Sequence, residues 1–166
     1  MSKKIIFMLI IAGLVCTAIY AQGHFDQERQ GFDLTGIDRA IRYAVDDLAD
    51  NVGVGRSVAV FPVRARDFER SVRNHVQRRI EMNFDQLDIR VHDRDNIDLI
   101  IAERAFQSGM EASPAFSDQE MIAIGATAGV DFVVRATLDG GDGVPPTITL
   151  EMINVRTSRK HTAVRP

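Results

Sequence analysis

Apolar residues recur every three to four positions along parts of the chain and gather into short β-branched runs elsewhere. This alternation predicts the elements one by one. Leu34, Ile37, Ile41, Ala44, Val45 and Leu48 fall at helical spacing, with Asp33 or Thr35 as the cap and Gly53 and Gly55 beyond the end. SVAVFPV at 57–63 reads as a buried strand closed by Pro62. Phe68, Val72, Val76 and Ile80 share one face of a helix over 67–84, and LDIRVH at 87–92 alternates as a strand with one face covered. A helix over 97–106 follows, and then the loop SGMEASPAF.

Ser117-Asp-Gln-Glu120 has the form of a capping box, in which the serine accepts an orphan amide and the glutamate reaches back. The helix it opens should end at Gly129, a residue suited to the left-handed position past a C-terminus. DFVVRATL (131–138) and TITLEMINV (147–155) read as strands flanking the turn DGGDGVPP, and Lys160 to Val164 as a last strand after RTSR. The order is α-β-α-β-α-α-β-β-β. Strands separated by helices imply parallel pairing, and closing hairpins imply antiparallel pairing. The expected fold is therefore a single α/β domain over 34–166, its mixed four- to five-stranded sheet flanked by helices. Its expected core holds Ile41, Val58, Val60, Val72, Ile80, Ile100, Ile124, Val133 and Ile153.

The first 21 residues change the picture. Lys3 and Lys4, an apolar run over 5–15, and small residues up to Ala21 form the pattern of a secretory signal peptide cut after Ala21. The run is short of the roughly 20 apolar residues that span a bilayer. A competing reading makes Cys16 an acylated lipoprotein cysteine, but Val15 is large for the residue before such a site and the chain stays apolar after it. The expectation is a periplasmic protein with a flexible lead-in at 22–33, the alternative a membrane anchor through Cys16. Cleavage would remove the single cysteine, leaving no disulfide framework and no thiol nucleophile. The whole chain carries a formal charge of −3, and loss of Lys3 and Lys4 takes it to −5, which argues against nucleic acid as a partner.

Candidate chemistry is sparse. VHDRDNID begins like a calcium loop, but Ile97 and Asp98 stand where the EF-hand pattern needs an oxygen ligand and glycine, and Arg104 stands where it needs glutamate. Helix entry explains these acids better, with Asp95 or Asn96 as cap and Asp98 in the first turn. His24, His75, His92 and His161 are scattered without zinc spacing, no G-x-S-x-G elbow occurs, and GGDG lacks the lysine and helix of a phosphate loop. Neither a metal, a cofactor nor a catalytic residue is expected, and the chain reads as a binding domain and not an enzyme. What remains is arginine: Arg66, Arg70 and Arg73 recur at helical spacing. They read either as a solvated face paired with Asp67 and Glu69, or as a docking face for an acidic partner protein, an anionic lipid or a cell-wall polymer. The strand Lys160, His161, Thr162, Ala163, Val164 is the candidate edge for pairing with a partner's strand.

The wording of several elements resembles one family. IRVHDRDNIDLIIAERAFQSG, with His92-Asp93-Arg94 ahead of its helix, Ile124-Gly125-Ala126-Thr127-Ala128-Gly129-Val130-Asp131, and the closing NVRTSRKHTA are similar to the CsgG/LpoB-type envelope domain. That type occurs in the curli secretion channel subunit and in lipoprotein activators of penicillin-binding proteins, and this chain resembles its short, spirochaete-like versions. Arg135 stands where relatives often carry glycine. The resemblance implies a non-catalytic assembly domain whose partner is an envelope protein: a synthase, a secretion component or a second copy. The tight connections leave no pore-forming hairpin of the channel kind, so a freely diffusing adaptor or a subunit of a larger envelope complex is the expectation, and a lipid-anchored activator of a peptidoglycan synthase is the alternative.

Overall fold

A computed structural model of the chain describes residues 34–108, 116–141 and 144–166. The expected signal peptide, Cys16, the lead-in, Asp33 and most of the loop after residue 108 lie outside these residues. The elements run α1 (Leu34–Ala49), β1 (Ser57–Val60), α2 (Arg70–Gln86), β2 (Arg90–Val91), α3 (Arg94–Ser108), α4 (Asp118–Ala128), β3 (Phe132–Gly141), β4 (Val144–Asn154) and β5 (Lys160–Arg165). The order is the expected one.

The strands form one five-stranded sheet, ordered β2-β1-β3-β4-β5. β1 is parallel to both β2 and β3, and β3-β4-β5 is an antiparallel meander. Strand periodicity divides the residues of β3 between two faces. Phe132, Val134, Ala136 and Leu138 share one face with Val58, Val60, Ile148, Leu150, Met152 and Ala163, all buried. The helices α1 and α2 cover this face with Ile37, Ile41, Val45, Leu48, Val76, Ile80 and Phe84. Ion pairs join Arg165 of β5 to Asp47 and Arg79 of α2 to Asp38, and His75 Nε2 of α2 shares a hydrogen bond with Asp38. On the opposite face Ala59, Phe61, Val133 and Ile153 pack against Ile97 and Ile101 of α3 and Met121 and Ile124 of α4.

Gly125 sets the distance between α4 and the sheet. A Cβ there would lie 2.5 Å from Val133 Cγ1 and 3.0 Å from Val155 Cγ2, so only glycine permits this approach. The capping box is complete, with Ser117 Oγ accepting from Glu120 N–H and the Glu120 carboxylate accepting from Ser117 N–H. Gly129 closes α4 at φ 72°.

Several boundaries moved, each for a local reason. β1 ends at Val60, because Pro62 has no N–H to give the ladder. Pairing to β3 nevertheless continues through Phe61 N–H to Val134 O and Arg64 N–H to Ala136 O. The chain therefore follows the sheet as far as Arg64 and turns at 66–67, so α2 opens at Arg70 and not at 67. Val72 falls in its first turn and is half-buried rather than core. α2 also runs on to Gln86, which leaves β2 two residues long and Leu87 exposed at the helix C-cap. α3 starts at Arg94 because Asp93 does the capping: its carboxylate accepts from Asp95 N–H at 3.1 Å and its carbonyl from Ile97 N–H. Neither Asp95 nor Asn96 caps it, and Thr35 lies inside α1. With that register Ile101 is buried and Ile100 is packed only against the rim of the core. The remaining expected core residues, Ile41, Val58, Val60, Ile80, Ile124, Val133 and Ile153, are buried. β3 and β4 extend into the DGGDGVPP stretch through a bulge at Asp139–Gly141, where Gly140 takes φ 129° beside Pro146.

Candidate interaction surfaces

β5 is an edge strand, paired on one side to β4. Its hydrogen-bonding phase follows from the turn that precedes it, where Asn154 N–H donates to Arg159 O at 2.8 Å. Antiparallel pairs alternate between bonded and non-bonded. The pairs 152–161, 150–163 and 148–165 are therefore bonded, and 153–160, 151–162 and 149–164 are not. The N–H and C=O groups of His161, Ala163 and Arg165 point into the sheet. Those of Lys160, Thr162 and Val164 point out of its edge.

The side chains of these three outward-facing residues stand on the face that α3 and α4 cover only in part. Beyond Val133 and Ile153 that face turns polar, with Arg135, Thr137, Thr149, Glu151 and Thr162 in adjoining register beside the exposed Val164. Arg135 is its anchor. The guanidinium Nε donates to Glu151 across the strand pair at 2.6 Å, and its other donors reach Asp118 at 3.1 Å and the Phe116 carbonyl at 3.2 Å. Arg64 donates to the same carbonyl at 2.8 Å, and the Phe116 ring meets Phe61 edge-on at 5.5 Å. Lys160 closes the network, 2.7 Å from Asp118 and 3.3 Å from Glu151. Burial works against ionisation of Glu151, but hydrogen bonds and charge from Arg135 and Lys160 overcome it and hold the carboxyl below its ordinary value. The Lys160 hydrogen bond does the same for Asp118, and Asp118 in turn raises Lys160. Burial and the nearby Arg135 lower Arg64. Sequence reasoning singled out Arg135 and Lys160 separately. Glu151, directly opposite Arg135 and two positions along β4 from the residue that pairs with Lys160, is a polar residue inside TITLEMINV and the available signal for their link.

The arginine set is only partly helical. Arg66 lies in the turn before α2, Arg70 is its first residue, and Arg73 is half-buried in its first turn. The spacing that placed all three on one helix face counted a turn as helix. The expected pairs with Asp67 and Glu69 do not form, and Glu69 accepts from Ser71 Oγ instead.

His92, Asp93 and Glu103 do not form a cluster. Asp93 and Glu103 are exposed and stand ten residues apart along α3, about 15 Å of helix rise, while His92 meets Asn96 at 3.2 Å. Among the described residues no three His, Cys, Asp or Glu side chains are grouped as metal ligands, and no helix is long and apolar enough to cross a membrane.

These features define a small α/β domain with two helices on each face of a mixed sheet, β5 as an edge strand unpaired on its outer side among the described residues, and a polar half-face beside it. Its fold is similar to that of the LpoB C-terminal domain. The structure from Salmonella enterica matches with a TM-score of 0.60 and 15% identity, over 80% of this chain and 98% of that one. The Escherichia coli domain matches with a TM-score of 0.62 and 15% identity, over 81% and 97%. The NMR structure of E. coli LpoB matches at 0.61 and 13%, over 78% of this chain and 66% of that one. Identity at this level shows a shared fold. It bears on the LpoB side of the resemblance and leaves the curli-channel side without support. No family model matches the chain, and no curated protein matches it in sequence.

Proposed function

We propose that this is a non-catalytic, exported protein-binding domain of the cell envelope that docks by adding a partner's strand to β5. The observation that carries the reading is the phase of that strand: Lys160, Thr162 and Val164 present their backbone groups outward on the free edge of the sheet. An extended segment laid there gains main-chain hydrogen bonds, and the polar half-face beside the edge supplies side-chain selectivity. The LpoB-like fold supports an envelope setting. On this reading the partner is a peptidoglycan synthase or another envelope assembly protein, and the domain works in the periplasm after cleavage at Ala21. Acylation at Cys16 is the alternative, and N-terminal mass spectrometry of protein from its host separates the two.

The phase also gives the test. Proline at Thr162 or Val164 removes an outward N–H without touching the β4 ladder, since prolines are tolerated where a strand's N–H faces away from the sheet. T162P and V164P should keep the melting temperature within a few degrees, yet lose most of the cross-linked partner recovered from envelopes. Undiminished recovery with both variants folded excludes the β5 edge. Arg66, Arg70 and Arg73 offer a second surface, on which Arg66 and Arg70 are exposed and Arg73 is half-buried. Reversal of all three to glutamate should then weaken recovery, and more so at low salt, because exposed charges are screened within about 8 Å at physiological ionic strength.

A further inference from the structure

A different surface carries its own inference. α1 and α2 lie side by side over the sheet, and between them is a cleft of about 280 Å³ lined by Thr35, Asp38, Arg39, Arg42, Arg79 and Asn83. The lining follows from helix geometry. Thr35, Asp38, Arg39 and Arg42 stand at i, i+3, i+4 and i+7 on α1, forming one stripe, and Arg79 and Asn83 stand at i and i+4 on α2.

Three guanidinium groups thus converge on a space with one carboxylate, in a chain whose overall charge is negative. That carboxylate is already committed. Asp38 meets His75 Nε2 at 2.8 Å through one oxygen and Arg79 at 3.1 Å through the other. It fixes Arg79 in place but leaves the buried Arg79 Nε with no acceptor among the described residues. Arg39 and Arg42 have no acidic partner there, and Arg42 rests over the Tyr43 ring at 5.5 Å.

We propose that the α1–α2 cleft is an oxyanion site that takes a phosphate group. A phosphate can accept from three guanidinium donors on two helices at once, whereas a single carboxylate occupies one guanidinium fork. The volume exceeds that of phosphate alone and leaves room for a small substituent.

The test uses the whole chain labelled with ¹⁵N, titrated with inorganic phosphate and with glycerol phosphate at constant ionic strength. The Nε–H resonances of Arg39, Arg42 and Arg79 should shift saturably, and chloride should not reproduce the effect. Replacing both Arg39 and Arg42 by glutamine should weaken binding about a hundredfold, since each lost charge-assisted bond accounts for about tenfold. Both side chains are exposed, so the double variant should melt like the parent. The single variants R39Q and R42Q, each intermediate, make the same test should the double variant unfold. Phosphatidylglycerol vesicles form a second arm. Arginine-dependent vesicle binding assigns the phosphate to a lipid headgroup, and saturable phosphate binding without vesicle binding assigns it to a soluble ligand. Non-saturable shifts, or affinity unchanged in R39Q/R42Q, overturn the proposal.

Discussion

The approach of α4 to the sheet can be tested with two versions of one substitution, Gly→Ala. At Gly125 the new methyl would lie 2.5 Å from Val133 Cγ1, 3.0 Å from Val155 Cγ2 and 3.3 Å from Val130 Cγ2. Carbon atoms pack at about 3.5–4.0 Å, so the deficit at Val133 is roughly 1 Å. Val133 is fully buried on a central strand, and a β-branched side chain has no free rotamer to retreat into. The helix must lift or the valine must leave its well, and overpacking of this kind costs about 1–3 kcal/mol. Alanine returns up to ~1 kcal/mol through helix propensity and a less flexible unfolded chain. The net expectation is about 1–2 kcal/mol of destabilisation.

Gly36 in α1 supplies the reference, because a Cβ there meets nothing within 4 Å. G36A should stabilise by a few tenths of a kcal/mol, since it lies in the first helical turn where propensity counts for less. The difference between the variants largely cancels the unfolded-state and propensity gains, leaving the packing cost of about 1–3 kcal/mol. Urea unfolding with unchanged m-values reads it directly as a shift in midpoint. If G125A and G36A differ by less than about 0.5 kcal/mol, below any cost assigned to overpacking, α4 is not held at the distance described here.

Two further expectations concern the charged network. Replacing Arg135 by alanine leaves Glu151 with Lys160 as its donor and the Phe116 carbonyl with Arg64, and loss of the Arg135 charge-assisted bonds should cost about 1.5–3 kcal/mol in urea unfolding; a loss under 0.5 kcal/mol, the range of ordinary surface substitutions, would show the network to be ornamental. The carboxyls of Glu151, Asp118 and Asp131 are held below their ordinary values of 4.5, 3.8 and 3.8. The stability they contribute is therefore fully present above those values and lost as pH falls through the lower folded ones. Burial raises Glu81, which acts in the opposite sense, so E81Q should hold or gain stability at pH 7. The urea midpoint should be flat from pH 6 to 8 and fall below about pH 4, a decline that E151Q should lessen; a midpoint rising with acid would refute the assignments.

Element type and order were legible because each rests on a local signal strong enough to survive packing. The stripe from Ile37 to Leu48, the Ser117–Glu120 box and Gly129 all do locally what their residues suggest. Boundaries failed where a tertiary contact competed with a local pattern. Phe68 has the right spacing to join Val72 and Val76, yet the pairing of Arg64 with β3 keeps the chain on the sheet until 66. Asp93 was passed over as a cap because three more acids and amides followed it, and only the position of β2 decides which carboxylate reaches the free amides. The cleft between α1 and α2 had no sequence signal of its own. Its arginines stand on the polar side of two helices whose pairing across Asp38, His75 and Arg79 is a tertiary event.

The same distinction bears on the proposed docking edge. A lysine on an edge strand ordinarily discourages strand addition, because pairing would bury its charge against an incoming backbone. Lys160 is the first outward-facing residue of β5, and taken alone it argues against augmentation. In the fold its ammonium is turned back onto Asp118 and Glu151, which Arg135 holds in place from the neighbouring strand. The deterrent charge is neutralised over the sheet face and does not project from the edge. Thr162 and Val164, the next outward-facing positions, carry no charge. On the proposed reading Arg135 therefore serves the edge from two strands away, and a partner strand would meet a neutral, pre-aligned row of backbone groups. R135A should then weaken partner recovery along with stability, whereas K160M, which removes the charge that needs neutralising, should leave recovery intact. Recovery lost in K160M but kept in R135A would mean that the lysine itself is read by the partner, and the edge would have to be redrawn around an ionic contact.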